Sequence, residues 1–378
     1  VDDQNGIETA SGTDGEESTT TETITILITG TNDQPEIAVI DNTAGGAGDL
    51  VYETNAALGD TLGEPAAISG SFTITDIDTT DVVTATVTSV AAVVSASASG
   101  YIAVTSSGGL DQVSITGDDD ARTITQADLL SFMSLSDVDG DTTGPDTAAA
   151  AANSITILSD GETADTLNWN FDSIAETFDF LGLGETLELT YTVQVADNQG
   201  VDTASASDGE VSSDAALSFE TITILITGTN DAPEIAVVDN TAGTDAAGDS
   251  PLYETDAALA ASGSFTITDI DVTDVVTATV TGVTAAVTAS DSGFIAVTTA
   301  GDLDQVSITG DVDGARIIDN ATLLSFMNLS DVDGDTTGPD AADASSPTAL
   351  PPTITILSDG ETADTLNWNF DSIAETFD

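Results

Sequence analysis

The chain has 378 residues and carries 67 Asp and Glu against 2 Lys and Arg, a formal net charge of -65, with no His and no Cys. Two cationic side chains cannot neutralise a row of phosphates, so nucleic-acid binding and docking on or insertion into an anionic membrane are excluded, and the natural partners are cations. Lack of Cys and His removes disulfides, thiolate and imidazole metal sites, thiol nucleophiles and the Ser/His/Asp triad, while 40% hydrophobic content is too much for charge-driven disorder.

The first residues, VDDQNGIETA, have neither the basic nor the apolar region of a secretory signal. An export address is therefore expected outside this stretch. No run approaches the roughly 18 apolar residues of a membrane-spanning helix.

The next segment, ETITILITGTND at Glu22 to Asp33, returns unchanged at Glu220 to Asp231. SGSFTITDID at Ser69 to Asp78 returns at Ser262 to Asp271, and LSDVDGDTTGPD at Leu135 to Asp146 returns at Leu329 to Asp340. ITILSDGETADTLNWNFDSIAETFD runs from Ile155 to Asp179 and again from Ile354 to Asp378. The offset drifts between 193 and 199 residues, so the copies differ by short insertions in loops. A period this long is a tandem array of whole domains.

Residues 1–33 read as the C-terminal end of a preceding repeat, 34–231 as a complete repeat, and 232–378 as a second repeat lacking its final strands. This phase suits a window from a longer array. It also suits a polymer in which residues 1–33 complete the last domain of an identical neighbour, head to tail, by strand addition.

Within the repeat the period is two. Phe72 and Ile74, then Leu167, Trp169 and Phe171, then Leu187, Leu189, Tyr191, Val193 and Val195, then Ile222, Ile224 and Ile226 each alternate with polar residues, the mark of half-buried strands. The QADLLSFM run predicts a short helical turn near Ala127 to Met133, with a counterpart near Leu323 to Met327. The whole reads as all-β, tandem immunoglobulin- or cadherin-like sandwiches. At about 195 residues a repeat is either one enlarged sandwich or two small ones, since an ordinary domain of this kind has about 100. Trp169 and Trp368 are expected to pack in the core, and Arg122 and Arg316 to act as structural ion-pair donors.

The acids are clustered. LSDVDGDTTGPD places Asp137, Asp139 and Asp141 at alternate positions with Asp146 beyond, copied as Asp331, Asp333, Asp335 and Asp340. Hard cations such as Ca²⁺ take about six to eight oxygens at about 2.3–2.6 Å, which short Asp side chains on a loop can supply. A second cluster is Asp76, Asp78 and Asp81, copied as Asp269, Asp271 and Asp274. A third is Asp118, Asp119 and Asp120, with Asp311 and Asp313 in the other copy. At the junctions Asn32, Asp33 and Glu36, then Asn230, Asp231 and Glu234, offer oxygens where two repeats meet. A cation there would be shared between neighbours. Each cluster also has a plainer reading as a solvated acidic turn or linker, because Asp favours turns on its own account.

GSFTITDIDTTDVVTATV, LNWNFDS, FLGLGETLELTYTVQVADN and TITILITGTNDAPEI together resemble the VCBS repeat of very large bacterial surface and secreted proteins, including RTX-class adhesins. The resemblance implies a calcium-binding, cadherin- or immunoglobulin-like extender, secreted to the cell surface, that holds a distal binding domain away from the cell. The junction is similar to the cadherin linker, with Gly30 or Gly228 in place of that pattern's first Asp. The expected function is a structural extender of an adhesin or filament, stiffened by Ca²⁺ between neighbouring repeats. The alternative is a carbohydrate- or partner-binding module. The near-identity of the two copies favours scaffolding, and no catalytic constellation stands out, so no enzyme is expected.

Overall fold

The computed structural model describes residues 2–3, 18–19, 21–44, 51–53, 68–95, 100–137, 153–200, 215–240, 252, 258–288, 294–331 and 352–372, less positions 29, 108–109, 117–120, 160, 174–177, 301–302, 310–314 and 359. The chain is all-β, built of several antiparallel sheets with two short helices among the described residues.

In the first copy one sheet runs in the order Met133–Asp137, Ala164–Phe171, Ile68–Thr75, Glu36–Asp41. A second runs Ser154–Leu158, Val83–Ser95, Thr186–Gly200, Ala215–Thr227. Two short strands, Thr43–Ala44 and Val51–Tyr52, lie parallel to the last. The alternating residues of both sheets share one core. Phe72, Ile74, Leu167, Trp169 and Phe171 come from the first sheet, and Leu187, Leu189, Tyr191, Val193, Val195, Ile222, Ile224 and Ile226 from the second. All are at most 1% exposed. Full burial of such a side chain stabilises by about 1.5–3 kcal/mol, so these facing rows hold the sheets together.

The polar tips inside this core are satisfied. Trp169 Nε1 donates to the Asp41 carbonyl at 2.7 Å, and the Tyr191 hydroxyl donates to the Leu129 carbonyl at 2.8 Å. Trp169 is therefore a core residue and offers no stacking face to a sugar. Gly70 lies opposite it in the ladder. A Cβ at Gly70 would sit 2.5 Å from the Asp41 carbonyl oxygen and 2.6 Å from the Trp169 ring. Gly70→Ala is expected to cost about 1–3 kcal/mol, as overpacking does. An unchanged urea midpoint would show that the strand yields freely at this point.

A three-stranded sheet, Ile102–Ser107, Leu110–Ile115 and Arg122–Ile124, leads into the helix Gln126–Ser131. The helix falls where the sequence predicts one and starts at a capping box. The Asp128 amide donates to Thr125 Oγ1 at 3.3 Å, and the Thr125 amide donates to the Asp128 carboxylate at 2.9 Å. Met133, expected in the turn, instead opens the next strand and is fully buried. The Arg122 guanidinium lies 5.3 Å from the centre of the Phe180 ring, a packing role consistent with a cation over an aromatic face.

The second copy repeats the plan with Glu234–Asp239, Ala260–Thr268, Ala363–Asp371 and Met327–Asp331 in one sheet. Ile295–Ala300, Leu303–Ile308 and Arg316–Ile318 form its three-stranded sheet, followed by the helix Asn320–Ser325. One strand differs. Val83–Ser95 pairs with Thr186 to Ala196 along its length, but its counterpart is a strand only over Val276–Thr279, paired to Thr353–Leu357. Residues 281–288 have no ladder partner among the described residues and are mostly exposed. The two sequences are nearly alike here, so it is the neighbouring strand that makes this stretch a strand, consistent with the context dependence of β propensity. The second core, centred on Ile267, Leu329, Ile356, Leu366 and Trp368, is correspondingly small.

Candidate metal centre

The Ile68–Thr75 strand ends in an acidic turn that folds on itself. The Asp76 amide donates to the Thr163 carbonyl at 3.0 Å, and the Asp81 amide to the Asp78 carbonyl at 3.1 Å. The Asp78 amide donates to Asp76 Oδ1 at 2.9 Å. This turn brings Asp81 beside Asp76, and the Thr186–Gly200 strand delivers Asp197 to the same point. Carboxylate oxygens of Asp76, Asp81 and Asp197 all lie within 4.8 Å of one another. Two oxygens on opposite sides of a calcium ion, each at about 2.4 Å, are about 4.8 Å apart.

All three side chains are buried, at 4%, 5% and 6% exposure. Asp76 Oδ2 and Asp81 Oδ2 have no hydrogen-bond partner among the described residues. Two like charges at that separation repel by about 3 kcal/mol at an effective dielectric constant of about 20. Burial, followed by the neighbouring acids Asp197, Asp78 and Asp33, pushes the Asp76 carboxyl above its usual range. Burial also raises Asp81, with Asp76, Asp197 and Asp78 adding to it. With neither Cys nor His in the chain, the donor set is all oxygen, which suits a hard cation and excludes the thiolate and imidazole sites of zinc.

The junction segment closes over this triad. Asn32 Nδ2 donates to Asp197 Oδ2 at 3.0 Å, and the Asp33 amide donates to Asp78 Oδ2 at 2.6 Å. Glu36, with Asp33, Gln34, Thr75 and Asp76, lines an open polar cleft beside it.

The second copy builds the same turn. The Asp269 amide donates to the Thr362 carbonyl at 3.0 Å, and Asp274 to Asp271 at 3.0 Å. Asp271 donates to Asp269 Oδ1 at 3.1 Å, and Asp231 to Asp271 Oδ2 at 2.8 Å. Here the first copy supplies further acids. Glu53 Oε1 accepts from the Thr229 amide at 2.8 Å and from the Thr229 hydroxyl, and burial, then Asp231 and Asp179, raise the Glu53 carboxyl. Glu185 lies near enough to Asp274 to add to the upward shift that burial gives it. Burial drives Asp271 up to about 7 against the hydrogen bond from Asp231, with Asp274, Asp269 and Asp231 reinforcing the shift. Glu53 Oε2, Asp231 Oδ2 and Asp271 Oδ1 have no hydrogen-bond partner among the described residues.

Packing locks this boundary. Val272, in the turn of the second copy, is 4% exposed and belongs to the core of the first. A Cβ on Gly182 would lie 3.0 Å from Thr273 Oγ1 and 3.4 Å from Asp274 Oδ1. The acidic turn of one repeat thus presses on the 181–185 loop of the one before.

Of the candidates named from sequence, Asp76 and Asp81 meet in the first triad, while Asp78, Asn32 and Asp33 orient it. Asp269, Asp271, Asp274 and Asp231 gather at the boundary. Glu234 is exposed, at the start of the Glu234–Asp239 strand, and no bond from Asn230 to the acids is seen, its amide donating instead to the Asp231 carbonyl. Asp137 and Asp331 end the Met133–Asp137 and Met327–Asp331 strands. Asp139, Asp141, Asp146, Asp333, Asp335 and Asp340, and the third cluster, lie outside the described residues. Sequence reasoning missed Asp197, Glu53 and Glu185. The signals were present: Asp197 breaks the apolar alternation of its strand at an inward position, and the YET around Glu53 recurs at Tyr253 to Thr255.

No family model matches the chain, and no curated protein matches it. One similar solved structure is described as "Chaperone-tip adhesin complex is vital for synergistic activation of CFA/I fimbriae biogenesis", with a TM-score of 0.22 and 11% identity over 91% of this chain and 80% of that one. Among the described residues no helix is long and apolar enough to cross a membrane.

Proposed function

We propose that the chain is a structural extender of a bacterial extracellular adhesin or filament, in which Ca²⁺ held at the acidic turns stiffens the array of β-sandwich repeats. The observation that carries this reading is the buried Asp76, Asp81 and Asp197 triad, with two carboxylate oxygens unsatisfied and the junction residues Asn32 and Asp33 bonded over it. Three buried carboxylates with no cation beside them are costly, and an oxygen-seeking ion removes that cost while tying strand, turn and junction together. The second acidic turn meets Glu53 and Glu185 of the preceding repeat, so an ion there would resist bending between neighbours. The VCBS-like motifs point the same way and imply a secreted, cell-surface protein with no enzymatic role.

Calcium titration followed by calorimetry and small-angle scattering tests the reading. At least one ion should bind per acidic turn, and chelation should shorten the maximum dimension of the molecule. Absence of binding heat together with identical scattering in EDTA and in millimolar Ca²⁺ would sink it.

A further inference from the structure

One turn occurs in both copies and differs in what it touches. The Glu162 amide donates to the Ser159 carbonyl at 3.1 Å, and the Glu361 amide to the Ser358 carbonyl at 3.2 Å. Gly161 and Gly360, inside these turns, hold a φ of 99° and 91°, where glycine is favoured for want of a Cβ. Gly161 is exposed, and a Cβ there would meet nothing closer than the Thr79 carbonyl oxygen at 3.8 Å. Gly360 is buried, and a Cβ there would lie 2.6 Å from Cδ1 and 2.7 Å from Cγ of Tyr101, in the first copy. The tyrosine ring thus lies directly on the backbone of the following repeat.

Tyr101 is supported from behind. It stands just before the Ile102–Ser107 strand, its carbonyl accepts from the Thr116 amide at 2.8 Å, and it packs against the first core, to which Ile102, Val113, Ile115 and Ile124 of the three-stranded sheet belong. Arg122 of that sheet lies over Phe180, which ties the sheet to the chain leading into the 181–185 loop. The contacts already described at the boundary gather beside the covalent connection: Gly182 against Thr273 and Asp274, and Glu53 on Thr229. A single attachment beside a linker leaves the next repeat free to turn about it. A second attachment, from a different sheet, removes that freedom.

We propose that Tyr101 is an inter-repeat brace: the three-stranded sheet of one repeat holds this ring on the Gly360 turn of the next and fixes how that repeat is set, without an ion. The sequence carries both halves in both copies, since Phe294 takes the place of Tyr101 in the second and Gly161 that of Gly360 in the first. The contact is an aromatic face on a backbone and contains no carboxylate, so chelation does not dissolve it. The Gly360 turn also abuts the acidic turn, where the Asp269 amide donates to the Thr362 carbonyl at 3.0 Å. When metal is removed and the acids repel, the joint therefore tilts with Tyr101 as its pivot. The metal-free array bends in one direction at each boundary and does not swivel freely.

Nitroxides on Thr88→Cys and Thr365→Cys, exposed positions in the first and second copies of a chain with no other Cys, report the setting by double electron–electron resonance. In EDTA the distance distribution of the otherwise unaltered chain should be narrow. Tyr101→Ala and Gly360→Ala should each widen it by about twofold or more, since relative motion is the default where no packed interface holds two units. Tyr101→Phe should leave the width unchanged, as Phe294 suggests, and so should Gly161→Ala. The two glycine substitutions impose the same backbone strain, and only one of them meets the ring, so their difference isolates the contact from the turn. A mean distance that moves between EDTA and millimolar Ca²⁺ reports the acidic turns, whereas the width in EDTA reports the brace alone. A mean that stays put with a narrow width would count against calcium and for the brace. A distribution in EDTA as broad in the unaltered chain as in Tyr101→Ala, or equal effects of Gly161→Ala and Gly360→Ala, would overturn the brace.

Discussion

Asp81→Asn is expected to raise the melting temperature in EDTA and to lower it in millimolar Ca²⁺, so that one substitution changes sign with one change of buffer. In the absence of metal, Asp81 repels Asp76 and Asp197 across at most 4.8 Å in a buried site. Neutralising it removes about 3 kcal/mol of repulsion per pair at an effective dielectric constant of about 20. With metal, the same substitution takes away a ligand charge. A site filled at about 100 times its dissociation constant contributes about 2.7 kcal/mol. For a unit of this size each kcal/mol moves the midpoint by about 2–4 °C, so shifts of about 5–10 °C in opposite directions are expected. Asp197→Asn should behave alike, less the hydrogen bond from Asn32. Scanning calorimetry in the two buffers decides it. If Asp81→Asn destabilises equally in both, the carboxylate is held by its protein neighbours and no ion acts there.

Much of the fold was legible because alternation is a local property. Leu187 to Val195 and Ile222 to Ile226 have only to point alternate side chains one way for the strand and its buried face to follow, and both do so in the first copy. The helix at Gln126–Ser131 was readable from its apolar run, and its first residue is set by the Thr125 and Asp128 capping box. What failed to transfer was context. Residues 281–288 have the composition of a strand and no ladder partner among the described residues, since a ladder needs a partner that the segment itself does not encode.

The site was half legible for a similar reason. Asp76 and Asp81 lie five residues apart, so a turn can bring them together and their spacing signals it. Asp197 meets them only through the register of Thr186–Gly200 against Val83–Ser95, and Glu185 meets Asp274 only through the packing of one repeat on the next. Long-range partners of an acidic turn leave a weak trace in sequence, namely an acid where an apolar residue is due. The junction acids gain their meaning from the same packing. Val272 buried in the first core fixes the second acidic turn against the 181–185 loop, so carboxylates from two repeats are held at one boundary whether or not they repel.

That confinement gives the metal-free protein an inverted pH dependence. Asp271 is raised to about 7, and Asp76, Asp81, Asp269, Asp274 and Glu53 are raised as well, each chiefly by burial. A carboxyl whose pKa is higher in the folded state binds its proton more tightly there, so folding gains stability as the pH falls through the folded value and the gain is complete below the unfolded value near 4. In EDTA the chain should therefore grow more stable from pH 8 to about pH 5, by on the order of 3 kcal/mol from Asp271 alone, since about two pKa units at 1.36 kcal/mol each lie between pH 7 and pH 5. Calcium competes with these protons for the same oxygens. The curves with and without Ca²⁺ should lie far apart at pH 8 and converge toward pH 5. Asp271→Asn should flatten the EDTA curve across that window, which separates the buried cluster from general relief of the surface charge. Urea midpoints measured at moderate salt across pH 5–8 check it, and a metal-free midpoint that stays level or falls on acidification would show that these carboxylates are already relaxed without an ion.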